Sequence, residues 1–359
     1  MRMAQGVPRV LDVGLVGCGG IVRSVHAPAY DALPDLMRVT AVADPVAENR
    51  DEVGARFSVP ASRRYADYRD MLAGAALDAV VLATPHHMHV YNAVDAASAG
   101  VAVISEKPMA TSLEESDAIL EAVRRAGVPY TVVHNLLFSA GMMRARAIRQ
   151  QGELGTLVLG RAQSLFAKAP DFATAAREPG QVWRAQRSAG GGCAIDSAYH
   201  EVYCLEALVG SPIRFVEARV QTRRFAIDVD DVAMMLFEHE SGVTSTVSSA
   251  WCVPARQGGR WCEVHGSDGS LQVVPGDKDP LYRLRQGHGG WAAVPLPAPA
   301  RGPDPTGHLG YFAATFEALA RQEGVPVSGA QARHNLAIIE AARRATASRC
   351  AVDLNGCGE

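Results

Sequence analysis

Four short stretches of this chain combine residue types that could do chemistry: the turn Gly17-Cys18-Gly19-Gly20-Ile21, the carboxylate Asp44, the tripeptide Glu106-Lys107-Pro108, and the pair Asp196 and His200. A glycine turn between a strand and a helix can cradle a pyrophosphate. Its first glycine permits the turn, its second lets a phosphate approach, and the helix offers its N–H groups. Val22 occupies the third glycine-type position of that fingerprint. Asp44 can accept hydrogen bonds from the hydroxyls of an adenosine ribose, or it can simply cap the helix after Pro45. A carboxylate there repels a 2'-phosphate, which favours NAD, while Arg50 and Arg63 leave NADP open. Lys107 can hydrogen-bond a substrate oxygen as a cation, titrate nearer neutrality if desolvated and share a proton relay with His200, or sit at the surface paired with Glu106.

Around the acidic–imidazole pair, Ile195, Ala198, Tyr199, Val202, Leu205 and Val209 recur at helical spacing. The spacing predicts a helix with Asp196 and His200 on one face. A carboxylate near an imidazole favours the imidazolium and orients its tautomer, which makes His200 a candidate general base. The alternative is a carboxylate held by the helix dipole beside a hydrogen-bonded histidine. Gly190-Gly191-Gly192 just before this helix signals a close approach of the backbone to something. His86, His87 and His89 cluster without a Cys or carboxylate at ligand spacing, so no metal site is expected.

These groups need elements to hold them. Val10–Val16, Arg38–Ala43, Ala79–Thr84, Val101–Ile104 and Tyr130–His134 are apolar almost throughout, as parallel strands covered on both faces are. Helical stretches separate most of them, among them Ser112–Ala126 with its S-x-x-E start and Gly127 stop. This alternation predicts an α/β domain with a doubly wound parallel sheet, over residues 1–134. Beyond it come a helix from Ala140 to Gln151 and alternating runs at Thr156–Ala167, Ile213–Phe225, Val232–His239, Val243–Trp251, Glu263–Gly266 and Leu271–Val274. They predict an α+β second domain, 135–359, with a large, mostly antiparallel sheet. Two helices, near Gly310–Arg321 and Gln331–Ser348, close the chain.

The 359 residues are 48% hydrophobic and 20% charged with a formal net charge of -3, which gives no broad attraction to nucleic acid or anionic lipid. No apolar run is long enough for a membrane span, and residues 1–10 lack an apolar signal core. The 7 cysteines include no CxxC pair, the usage of a reduced, cytoplasmic protein. Cys350 and Cys357 lie close enough in sequence to pair adventitiously.

The order of these motifs resembles the glucose–fructose oxidoreductase/inositol dehydrogenase (Gfo/Idh/MocA) family over nearly the whole chain. The resemblance rests on Gly17–Val22 with His26-Ala27-Pro28, on Thr84-Pro85-His86-His87-Met88-His89, and on Glu106-Lys107-Pro108. It continues through Trp183-Arg184, Gly190–Gly192, and Asp196 with His200. His86 stands where the family has Asn, and Leu137 where many relatives have Arg. The resemblance implies a Rossmann domain that binds NAD through Gly17, Gly19, Gly20, Ile21, Asp44, Thr84, Pro85, His86, His89, Glu106 and Asn135. It implies catalysis by Lys107, Asp196 and His200, with Trp183 and Arg184 beside the substrate. It also implies a cis bond before Pro108, a sugar, cyclitol or related polyol as substrate, and a homodimer or homotetramer assembled through the second sheet. Two alternatives stand beside it: a redox-assisted lyase or glycosidase, which would use the same residues, and a non-catalytic NAD-dependent sensor, against which the intact Lys107, Asp196 and His200 argue.

Overall fold

The computed structural model describes residues 9–169, 172, 179–254, 259–275, 280–285, 287, 289–298 and 301–356. Cys357 lies outside them. The chain forms two compact units. The first comprises Met1–Ala110, Glu114–Val133 and His308–Ala332, and the second Thr111–Leu113, His134–Gly307 and Arg333–Glu359.

In the first unit the strands β1 (Leu11–Val16), β2 (Met37–Ala43), β3 (Arg64–Tyr65), β4 (Ala79–Leu82), β5 (Ala102–Ser105) and β6 (Tyr130–Val132) form one sheet in the order β3-β2-β1-β4-β5-β6. Every neighbouring pair is parallel. The apolar runs are explained by burial on both faces: Val13, Leu15, Val80, Leu82 and Ile104 are wholly inaccessible. Each such side chain contributes about 1.5–3 kcal/mol. The helices α1 (Ala27–Asp31), α2 (Ala47–Arg56), α3 (Tyr68–Gly74), α4 (His89–Ser98) and α5 (Leu113–Ala126) make the crossovers. α5 carries Glu114 and Glu115 in its first turn and Arg124 and Arg125 in its last, both matched to the helix dipole. The strand order reverses between β1 and β4, and ligands of such sheets bind at the carboxyl ends of the strands around that point. Gly17 follows β1, Asp44 follows β2, Thr84 follows β4 and Glu106 follows β5, so all four motifs share that edge.

The second unit contains α6 (Ala140–Gln150), β7 (Leu157–Leu165), α7 (Tyr199–Val209), β8 (Ile213–Gln221), β9 (Val232–His239), β10 (Thr244–Ala250), β11 (Arg260–Gly266), β12 (Gly269–Val273), β13 (Leu281–Arg285) and β14 (Ala292–Ala293). After α8 (His308–Arg321), which belongs to the first unit, come α9 (Gly329–Ser348) and β15 (Val352–Asp353). Nine strands make one sheet in the order β14-β13-β12-β11-β7-β10-β9-β8-β15. Its pairs are antiparallel except β10 with β7, which is parallel. α7 and α6 pack on one side of this sheet. Alternate residues of β9 point away from the core, and Met234 and Leu236 remain 51% and 40% exposed.

Candidate active site

The glycine turn of the first unit is built for close approach. Gly17 has φ +91°, and a Cβ there would lie 2.6 Å from the Ala83 carbonyl oxygen beyond β4. Only glycine fits both constraints. At Gly19 and Gly20 a Cβ would meet nothing within 4 Å, so that side of the backbone is open to a phosphate. Helical structure starts at Gly20 and includes a π turn over Val22–His26. Ile21 lies on that first turn, partly exposed. Asp44 is buried at the end of β2, with Oδ2 accepting from Cys18 N at 2.7 Å and Oδ1 from Val46 N at 2.8 Å. It therefore braces the turn and caps the next segment, while each oxygen retains a second acceptor site for a ribose hydroxyl. The Cys18 thiol is buried beside Asp44, and burial together with that carboxylate pushes its pKa up to about 12.

The loop after β4 is held from within. Thr84 Oγ1 donates to Asn92 Oδ1 at 2.7 Å. His86 is buried near His89, ring centroids 5.9 Å apart. His89 was expected to line the cofactor cleft. Instead it is fully buried, with Nδ1 2.7 Å from Pro108 O and Nε2 3.0 Å from Thr84 O. Each ring nitrogen faces a backbone carbonyl, and the single proton of the neutral ring donates to one of the two, so His89 braces the Thr84 and Pro108 loops from between them. Burial lowers its pKa against the pull of the two carbonyls. His87, outside the expected set, has a buried Nδ1 without a protein hydrogen-bond partner, an atom a ligand can engage.

Glu106 is buried at the end of β5. Its Oε1 meets His26 Nε2 at 2.8 Å, and its Oε2 accepts from Lys107 N at 3.1 Å. Burial raises its pKa, but the His26 hydrogen bond, with His26, His308 and Lys107 nearby, outweighs burial and holds it at about 2. His308 is pushed down to about 4 by burial and by His26. The Lys107–Pro108 bond is cis, as the resemblance implied. The donor atoms of His26, Glu106 and His308 lie within 4.8 Å of one another, a set that a divalent ion would accept. The His26–Glu106 hydrogen bond already satisfies the carboxylate, and Tyr30 and Phe312 pack against the His26 ring. His26 stands in the sequence only as part of the motif His26-Ala27-Pro28, and nothing there shows that it meets Glu106, because that partner lies 80 residues further along the chain.

In the second unit Asp196 sits on a π turn, Ala194–Ala198, that runs into α7. Arg184 Nε lies 3.4 Å from Asp196 Oδ2, and the Arg184 guanidinium covers the Trp183 ring at 4.3 Å. Trp183, Arg184 and Asp196 thus form one cluster. The three glycines explain how. A Cβ at Gly191 would collide with the Arg184 carbonyl oxygen, and one at Gly192, φ +120°, would lie 2.5 Å from Asp230 Oδ1. What the backbone approaches is therefore this chain's own Arg184 and Asp230. Asp230 Oδ2 accepts from Ala194 N at 2.6 Å, capping the π turn.

His200 Nδ1 lies 2.8 Å from Tyr203 Oη, one turn along α7. Tyr203 Oη also contacts Asn135 Oδ1 and receives Leu136 N, each at 3.4 Å. Asn135 was assigned to the cofactor by resemblance. Its amide is bound on both sides, Nδ2 donating to Thr306 O at 2.7 Å, which places it in the His200 network. The i, i+3 spacing of His200 and Tyr203 was the available signal for this contact.

Two family models match this chain. Residues 11–134 match the oxidoreductase family with an NAD-binding Rossmann fold, and residues 142–272 match the GFO/IDH/MocA C-terminal domain. A levoglucosan dehydrogenase of Pseudarthrobacter phenanthrenivorans is 29% identical over 290 residues, 73% of each chain. A D-apiose dehydrogenase of Paraburkholderia graminis is 31% identical over 264 residues, 72% of this chain and 66% of that one. Among solved structures, levoglucosan dehydrogenase in complex with NADH and levoglucosan is similar with a TM-score of 0.86 and 25% identity, covering 97% of this chain and 100% of that one. With both domains matched and a glycine turn open to a dinucleotide, the chain belongs to the Gfo/Idh/MocA oxidoreductases and is an NAD-dependent enzyme.

Proposed function

We propose that this oxidoreductase acts reversibly on a secondary alcohol of a sugar, cyclitol or related polyol. The observation that carries the reading is the anchoring of Lys107. Its neighbour Glu106 is a buried anion fixed by His26, on the same sheet edge as the open glycine turn and Asp44. The relatives support the substrate class, being named for levoglucosan, D-apiose and D-xylose. Bound NAD supplies the hydride acceptor. Gly17, Gly19, Gly20 and Ile21 hold the pyrophosphate, and Asp44 holds the adenosine ribose. Thr84, Pro85, His86 and Glu106 shape the nicotinamide end. Lys107 donates a hydrogen bond to the reacting oxygen and steadies its negative charge. His200 takes the hydroxyl proton, and Asp196 with Arg184 and Trp183 binds further hydroxyls. No metal enters this scheme.

Two further assignments accompany it. We place the protein in a reducing compartment, the cytoplasm, because its described cysteines are free thiols, most of them buried. None of its described helices is long and apolar enough to cross a membrane. We also assign a homodimer or homotetramer to the open face of the nine-stranded sheet.

The deciding experiment incubates the purified chain with NAD+ and a panel of anhydrosugars, aldoses and cyclitols, following NADH absorbance and product. Growth of NADH with at least one member is expected. Product without net NADH would replace the reading with a redox-assisted lyase or glycosidase. NAD+ binding without turnover in either direction would replace it with a sensor.

A further inference from the structure

The hydrogen bonds around Tyr203 can be counted to a single proton arrangement. Its hydroxyl has one proton to give and two lone pairs to accept with. Leu136 N–H can only donate, so it takes one lone pair. The Asn135 amide is oriented by its Nδ2 donation to Thr306 O, which turns Oδ1 toward Tyr203. An amide oxygen can only accept, so it takes the hydroxyl proton. What remains for His200 Nδ1, at 2.8 Å, is the second lone pair, which requires the proton to sit on Nδ1. The opposite arrangement, with the hydroxyl donating to His200, leaves the buried Asn135 oxygen without its donor, at a cost of about 1–3 kcal/mol.

We propose that Tyr203 is a positioning residue that, with Asn135 behind it, locks neutral His200 as the Nδ1–H tautomer, the form whose Nε2 accepts a proton. The proposal rests on the reading of His200 as the group that takes the substrate proton. The chain His200 Nδ1–H to Tyr203 Oη–H to Asn135 Oδ1 also receives the imidazolium once Nε2 has gained that proton, since Nδ1–H keeps its acceptor. Burial raises the Tyr203 pKa well above its ordinary value, so the phenol stays protonated and relays no charge. The ring itself is clamped by His134, stacked on it at 4.3 Å and 9°, and His134 Nε2 in turn meets Tyr199 Oη at 3.2 Å. These contacts fix where the hydroxyl points.

The test is the imidazole nitrogen–proton correlation spectrum of the full-length protein at a pH of about 8, where an ordinary imidazole is neutral, with the His200 signals assigned by their absence in His200→Ala. Wild-type His200 should show the Nδ1–H pattern. Asn135→Leu removes the acceptor, frees the Tyr203 proton for His200, and should invert the pattern to Nε2–H. Tyr203→Phe should also lose the Nδ1–H pattern. In both variants kcat should fall at least about tenfold, with KM for NAD+ within about twofold. An Nε2–H pattern in the wild type, or an Nδ1–H pattern in all three proteins, overturns the proposal, whatever the activity. If either variant fails to fold, the wild-type spectrum and the other variant still decide. The predicted spectra with undiminished kcat in Tyr203→Phe would overturn it differently, by showing that His200 is not the base.

Discussion

Lys107 is the residue on which the proposed chemistry most depends. Replacing it with Ala removes the cation from the reacting oxygen, and kcat is expected to drop at least about a hundredfold. NAD+ affinity, read by quenching of protein fluorescence, should persist, because the glycine turn and Asp44 are untouched. Near-normal turnover would sink the assignment. Behind Lys107, the His26–Glu106–His308 cluster makes a pH prediction. His308 is held at about 4, below the ordinary 6.5, so the stability it contributes is present above pH 6.5 and lost as pH falls toward 4. Glu106, held at about 2 against an ordinary 4.5, loses its contribution only lower, as pH falls from 4.5 toward 2. The melting temperature should therefore decline between pH 6.5 and 4, and less steeply in His308→Leu. Parallel slopes would contradict this. Asp44 and Lys107 stand out as candidates in the sequence because each follows a strand beside a recognisable turn. The contacts of His26, His308 and Tyr203 are not legible there. Each is defined by a partner, and the sequence does not state that Glu106 meets a residue 80 positions earlier.

At the scale of elements, most strands and helices were legible because burial writes a period into the sequence. Val232–His239 was placed to the residue. Direction was not legible. Alternation is the same in parallel and antiparallel strands, so the parallel pairing of β10 with β7 left no trace. Strands of two residues, such as β3, β14 and β15, carry no period at all. The two π turns were read as ordinary helix, since one extra residue in a turn barely disturbs apolar spacing. The triple glycine before α7 was legible as a close approach, though not as an approach to Arg184 and Asp230. Gly191→Ala should force these groups apart, destabilising the protein by at least about 1–3 kcal/mol in urea unfolding and loosening the Arg184–Asp196 pair. Wild-type stability in that variant would mean that the turn yields at little cost.

For the whole molecule, the least legible feature was the membership of α8. Nothing in its sequence says that a helix so late in the chain clusters with the first sheet. Its Phe312 packs edge-on to His26 at 5.0 Å and to Tyr30 at 4.9 Å between ring centroids, and Phe316 lies behind. A fragment ending at residue 134 lacks these rings and leaves Tyr30 and His26 uncovered. It should aggregate or bind a hydrophobic dye, and a cooperative melt from that fragment would contradict the prediction. The open sheet face predicts association. Light scattering at micromolar concentration should show a dimer or tetramer, and Leu236→Lys together with Met234→Lys should shift it toward monomer. A monomeric wild type would remove the assignment.

The same helix sets a rule for recombination. A hybrid enzyme that keeps this cofactor domain and takes its second domain from a relative cannot be spliced once, at residue 134. It needs residues 308–332 from the same parent as residues 1–110, so that the aromatic rings around His26 are inherited together. The other parent then supplies residues 111–113, 134–307 and 333–359 together, because α9 and β15, which pairs with β8, belong to the second unit although they follow the helix inherited with the first.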